Sequence, residues 1–96
     1  MVLNVLGQRI RELRDKRGLS VRQFAALLDK SPAYVSKVET RGEIPSAELL
    51  CAIADLLNAD LEELLSLAKQ SQLQRTAQDI DQRQASALAL FRKHKR

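Results

Sequence analysis

Four helix-start signals, at Ser20, Ser31, Ser46 and Asp60, divide the middle of this 96-residue chain into short segments. Ser20 is followed three positions on by Gln23, completing a capping box, and Asp60 with Glu63 repeats that logic. Ser31 stands directly before Pro32, a hydroxyl N-cap ahead of a proline at the first helical position. Helices as short as these signals enforce are marginal alone, so their stability must come from packing against one another.

The apolar residues show which faces would pack. Leu6, Ile10 and Leu13 recur at helical spacing, with Arg9, Arg11, Glu12, Arg14 and Lys16 between them, so a first amphipathic helix is predicted from about residue 4 to 17. Gly18 ends it as a left-handed C-cap. A second helix begins at Ser20, with Leu19 stapling against Phe24 and with Val21, Phe24, Ala25 and Leu28 inward. A third runs from Pro32 to about Thr40 on a narrow seam of Val35 and Val38. After a Gly- and Pro-containing loop over 41–45, Ser46 caps a fourth helix carrying Leu49, Leu50, Ile53, Ala54, Leu56 and Leu57, which stops near Asn58. A fifth carries Leu61, Leu64, Leu65 and Leu67 and ends near residue 68.

Residues 69–74 read as a linker or frayed helix. Beyond them Leu73, Ala77, Ile80, Gln84, Ala87 and Phe91, with Leu88 and Leu90, suggest a sixth helix with a thin apolar stripe, followed by a basic tail over 92–96. Only three aromatics, three glycines and two prolines occur, a balance favouring helices over a sheet. The expected architecture is all-α: one helical domain over 1–68, then a 69–96 appendage of linker, amphipathic helix and basic tail.

Charge is banded along the chain. Residues 1–41 carry nine Lys/Arg against four Asp/Glu, residues 42–68 none against six, and residues 69–96 seven against two. Such a protein can turn one surface toward a polyanion and keep another away, which suits nucleic acid better than a small acidic molecule. The single cysteine, Cys51, forms no intrachain disulfide and has no partner for zinc, consistent with a reducing, cytoplasmic setting. The short apolar start at residues 1–6 has no basic n-region and is followed by Arg9, Arg11 and Arg14, so neither a membrane span nor a signal peptide is expected there.

A helix-turn-helix needs a small residue where its two helices approach, a sharp turn, and a second helix whose outer face is free for the DNA major groove. Residues 20–40 meet those needs. With Val35 and Val38 inward, Pro32, Ala33, Ser36, Lys37 and Thr40 project outward, and Tyr34 and Arg41 sit on the flanks. The stretches Leu19-Ser-Val-Arg-Gln-Phe-Ala-Ala-Leu-Leu28, Ser31-Pro-Ala-Tyr-Val-Ser-Lys-Val-Glu39, Pro45-Ser46 and Ala59-Asp-Leu-Glu-Glu-Leu-Leu65 resemble the Cro/C1-type helix-turn-helix family, also called XRE-like regulators, over residues 6–68. The chain departs from the family pattern with Asp29 at the turn glycine, Val21 at a helix-two glutamine, and the glycine of the loop before the fourth helix shifted by one.

The resemblance implies a five-helix lambda-repressor-like DNA-binding domain, here with an additional C-terminal helix. It implies base-edge contacts from Pro32, Ala33, Ser36 and Lys37, with Lys37 the best donor to guanine and Ala33 able to touch a thymine methyl. Phosphate contacts would come from Arg22, Lys30, Ser31, Tyr34, Thr40 and Arg41, with backbone amides at the starts of helices two and three, and Gln23 belongs to the same DNA-contacting set. Two half-sites about 34 Å apart imply a homodimer on double-stranded DNA. The implied function is a sequence-specific transcriptional regulator, a dimeric repressor reading the major groove with helix three, cytoplasmic and nucleoid-associated when bound.

The alternative is an antitoxin or adaptor-type interaction module that binds a protein partner through residues 69–96, its DNA binding autoregulatory. The stripe from Leu73 to Phe91 fits either packing back on the domain or pairing with a second chain. Glu39 is expected to pair structurally with Arg14 rather than to do chemistry, and Cys51, in an apolar run, is expected in the core. His94 has no partner for a metal. Arg9, Arg11, Arg14, Lys16 and Arg17 form either a phosphate-facing patch or a solvated helix face. No catalytic set, phosphate-cradling glycine loop or cofactor motif is present, so an enzyme is not expected.

Overall fold

The computed structural model describes residues 4–74 of the chain. These residues form five helices and, among them, no strand: α1 (Val5–Lys16), α2 (Val21–Leu27), α3 (Pro32–Thr40), α4 (Ala47–Leu57) and α5, which occupies residues 61–74.

Side-chain caps start the helices. Asn4 accepts from the Gly7 N–H at α1, and Ser20 and Gln23 form a reciprocal box at α2. Ser31 accepts from the Tyr34 N–H with Pro32 in the first turn of α3, and Ser46 accepts from the Leu49 N–H at α4. α5 differs from the expected box. Asp60 Oδ1 accepts from the Glu62 N–H at 3.1 Å, while the Glu63 carboxylate reaches Arg9 of α1 at 2.6 Å. A long-range guanidinium outcompetes the local backbone for that carboxylate.

Leu6, Ile10, Phe24, Val35, Val38, Leu50, Ile53, Leu57 and Leu64 form the centre of one core to which every helix contributes. At the end of α1, Gly18 has φ 71°, and the Leu19 N–H donates to Arg14 O at 3.2 Å and the Gly18 N–H to Asp15 O at 3.0 Å, a Schellman closure. Arg17 then donates twice to Leu56 O, at 3.1 and 2.8 Å, fastening the end of α1 to the last turn of α4.

Of the two readings of residues 69–74, linker or frayed helix, the structure has helix: they continue α5, with Ala68 and Ser71 buried on its inner face. Two expectations are corrected. Leu65 is exposed, because Leu61, Leu64 and Ala68 define the inner stripe. Cys51 is also exposed: Leu50, Ile53, Ala54 and Leu57 turn inward on α4, and the position one step on from Leu50 faces out. The expected sixth helix beyond Gln74, the basic tail with His94, and residues 1–3 lie outside the described residues.

A feature the apolar pattern did not reveal is Gly7, buried within α1. A Cβ built there meets the Val38 backbone carbonyl and the Asn4 carboxamide. Helix one and helix three therefore approach closely only because position 7 lacks a side chain. Gly7→Ala is expected to destabilise the domain: overpacking costs about 1–3 kcal/mol, and alanine's helix propensity returns at most about 1 kcal/mol. Urea unfolding that shows a stabilised variant would refute the close-approach account.

Candidate nucleic-acid interface

The turn between α2 and α3 is the first element to account for. Ala25 is fully buried, so α2 can approach its neighbour without a bulky side chain intervening. The Lys30 N–H donates to Ala25 O at 2.9 Å and the Asp29 N–H to Ala26 O at 3.1 Å, closing α2 in a second Schellman arrangement. Asp29, at φ 57°, occupies the left-handed position where the related pattern carries glycine. Aspartate tolerates this conformation better than most residues, but at a cost glycine avoids. Asp29→Gly is therefore expected to raise stability, or leave it unchanged, by up to about 1 kcal/mol; a clear fall in the urea midpoint would show that the carboxylate does something the turn needs.

Beyond the turn, Val35 and Val38 are buried while Pro32, Ala33, Ser36, Lys37 and Thr40 are exposed and Tyr34 is half-buried. Arg22, Gln23, Lys30, Ser31 and Arg41 are also exposed, so every DNA-contacting candidate has some accessible surface. Several of these side chains are already engaged. Thr40 Oγ1 donates to Ser36 O at 2.7 Å, so its proton is not available to DNA while that bond stands. Gln23 Oε1 accepts from the Ser20 N–H at 2.8 Å. Lys30 Nζ lies 5.5 Å from the Tyr34 ring centroid, a cation–π contact joining the turn to the first turn of α3. Burial pushes the Tyr34 phenol above its ordinary pKa, with a further push from Glu43, so it stays a neutral hydroxyl.

Arg22 of α2, Lys30 of the turn, Lys37 on the outer face of α3 and Arg41 at its C-cap are exposed cations. Glu39, the acid within α3, points away from that outer face and is buried against Arg14: Nε donates to Oε2 at 2.8 Å and Nη2 to Oε1 at 3.0 Å. Arg14 Nη1 also donates to Leu19 O at 2.7 Å, so one guanidinium ties α1, the α1–α2 loop and α3. The Glu39 hydrogen bond is the main cause that raises the Arg14 pKa, keeping the guanidinium charged. The basic residues of α1 divide accordingly. Arg14 is internal, Arg9 pairs with Glu63 and Glu12, Arg17 holds Leu56 O, and Arg11 and Lys16 are exposed. Among the described residues no group of His, Cys, Asp and Glu can hold a metal, and no helix is long and apolar enough to cross a membrane.

The family profile for the helix-turn-helix domain matches residues 5–67, which spans all of α1 to α4 and the first half of α5. The chain belongs to the helix-turn-helix domain family. It is similar to an HTH-type transcriptional regulator of Bacillus subtilis, YazB, itself uncharacterized, with 33% identity over 64 residues, 67% of this chain and 93% of that protein. Among solved structures it resembles the clp gene regulator ClgR from Corynebacterium glutamicum, with a TM-score of 0.61 and 27% identity over 100% of this chain and 97% of that one. A second ClgR structure gives a TM-score of 0.58 and 32% identity over 74% and 92%. As an XRE-like member of this family, the protein is a helix-turn-helix DNA-binding transcriptional regulator.

Two residues that hold α1 against α3, Asn4 and Gly7, do not show that role in the sequence. An interior glycine in an otherwise apolar-periodic helix is a weak hint of close packing, and an asparagine just before a helix marks an N-cap. Neither hint names the partner helix.

Proposed function

We propose that the protein acts as a homodimeric, sequence-specific repressor that enters the major groove with α3 and blocks a promoter by occupying it. The observation that carries this reading is the division of α3 into a buried seam, Val35 and Val38, and an exposed face, Pro32, Ala33, Ser36, Lys37 and Thr40. On that face Lys37 is the side chain best able to donate to guanine O6 or N7, and Ala33 offers a methyl surface to thymine. Arg22, Lys30, Ser31, Tyr34 and Arg41 are the phosphate-contacting set, with Gln23 offering its amide N–H groups beside them. Thr40, whose hydroxyl proton already goes to Ser36 O, reaches a phosphate oxygen as a donor only by giving up that bond.

With few base-reading donors, discrimination rests partly on DNA shape and half-site spacing, which a dimer fixes. Leu65 and Leu73, exposed on α5, favour the dimeric part of the reading by offering apolar surface on the helix that leads toward the C-terminal segment. Action on DNA places the protein in the cytoplasm, at the nucleoid when bound. Selection of duplexes from a random-sequence pool tests the whole reading. It should return a palindrome with half-sites about one helical turn apart, and an unenriched pool would sink it.

A further inference from the structure

The last-turn carbonyls of a helix lack intrahelical partners, and something must satisfy them. In α3 the Lys37 carbonyl accepts from the Arg41 and Glu43 N–H groups, at 2.9 and 3.2 Å. The next two carbonyls receive the same carboxamide. Asn4 Nδ2 donates to Val38 O at 3.3 Å and to Glu39 O at 3.0 Å, while its Oδ1 accepts from the Gly7 N–H at 3.1 Å. Both ends of the amide have complementary partners, which fixes its orientation. The contact bridges residues 34 and 35 positions apart in the chain. Gly7 makes room for it, since a Cβ there collides with the Val38 carbonyl.

We propose that Asn4 is a positioning residue for sequence discrimination: its carboxamide sets the pitch of α3 against α1, and so the reach of Lys37 and Ala33 to base edges, without itself touching DNA. The inference rests on the reading that α3 enters the major groove. Arg14 grips the Glu39 side chain, and Asn4 grips the Val38 and Glu39 backbone. Both sets of contacts fall at the C-terminal end of α3, whereas the base-reading residues begin at its N-terminal end, so a small rotation about this anchored end displaces Pro32 and Ala33 most. Base-edge hydrogen bonds tolerate only about 0.5 Å and 10–20° of such error, whereas phosphate attraction is far more forgiving.

Asn4→Ser separates the two jobs of the side chain. Serine is as good an N-cap as asparagine, so α1 keeps its start, but it has no amide donor to extend to α3. Asn4→Asp also keeps the cap and points a carboxylate oxygen at the two carbonyls. Full-length wild type, both variants and Lys37→Ala are titrated, at a temperature where each is fully folded by circular dichroism, with the best duplex from the random-sequence selection and with a scrambled duplex of equal length and composition. The expected result is a ratio of specific to scrambled affinity that falls about tenfold in Asn4→Ser and further in Asn4→Asp, while scrambled-duplex affinity and its salt slope stay unchanged. An unchanged ratio in both Asn4 variants, with a collapsed ratio in Lys37→Ala, overturns the positioning role alone. An unchanged ratio in Lys37→Ala overturns the groove-reading role of α3 and the positioning role with it.

Discussion

Glu39→Ala is expected to destabilise the domain by about 3–5 kcal/mol, because it strands a guanidinium in the interior. The two side chains are 9% and 4% exposed, so water cannot take over the lost carboxylate's hydrogen bonds. For a domain of this size each kcal/mol corresponds to about 4–8 °C in Tm, so the variant should be largely unfolded at temperatures where wild type is stable. Arg14→Met combined with Glu39→Leu should recover most of that loss, since an apolar pair needs no partner for a buried charge. Thermal unfolding of Arg14→Met, of Glu39→Leu and of the double variant forms a mutant cycle. Additive losses would show that the ion pair is not the coupling element between α1 and α3. The raised Arg14 pKa gives the pair's pH behaviour on the alkaline side. A folded-state value above the unfolded one contributes stability throughout the range below the unfolded value, and loses it only as pH rises through the raised one, beyond ordinary assay conditions.

Lys37→Ala should carry the largest effect on recognition, with a loss of about 1–3 kcal/mol of discrimination at one base pair, roughly 5- to 150-fold. Lys37 is exposed on the outer face of α3 and has no acidic partner among the described ion pairs, so its removal should leave the fold intact. Arg22→Ala makes the contrasting case. It should weaken binding to all duplexes alike and reduce the slope of log affinity against log salt by about one. Equilibrium titrations of both variants against selected and scrambled duplexes, at two salt concentrations, distinguish base reading from phosphate attraction. A Lys37→Ala variant that weakens both duplexes equally would assign Lys37 to phosphate and overturn base reading by α3, and discrimination would then lie in DNA shape.

Much of this architecture is local in origin and so was legible in the chain itself. The starts of α2, α3 and α4 follow from Ser20, Ser31 and Ser46, each bonding a backbone N–H three residues on. The left-handed turn residues Gly18 and Asp29 close their helices with bonds to carbonyls a few positions back. The exposed face of α3 follows from Val35 and Val38 alone. Capping, turn chemistry and helical period act over a few residues, so sequence neighbours suffice to specify them.

What only the tertiary structure decided is which local option loses when a distant group competes. Glu63 could have closed a capping box at Asp60 and instead meets Arg9. Cys51 and Leu65, apolar by composition, face outward because only one stripe of each helix reaches the core. Arg9, Arg14 and Arg17 look alike along α1, yet α5, α3 and α4 each claim one of them. Asn4 and Gly7 acquire their meaning from carbonyls more than thirty residues away. The four short capped helices with which the chain announces itself therefore determine what its elements are. The angle at which the third is held depends on long-range contacts whose partners no local pattern names.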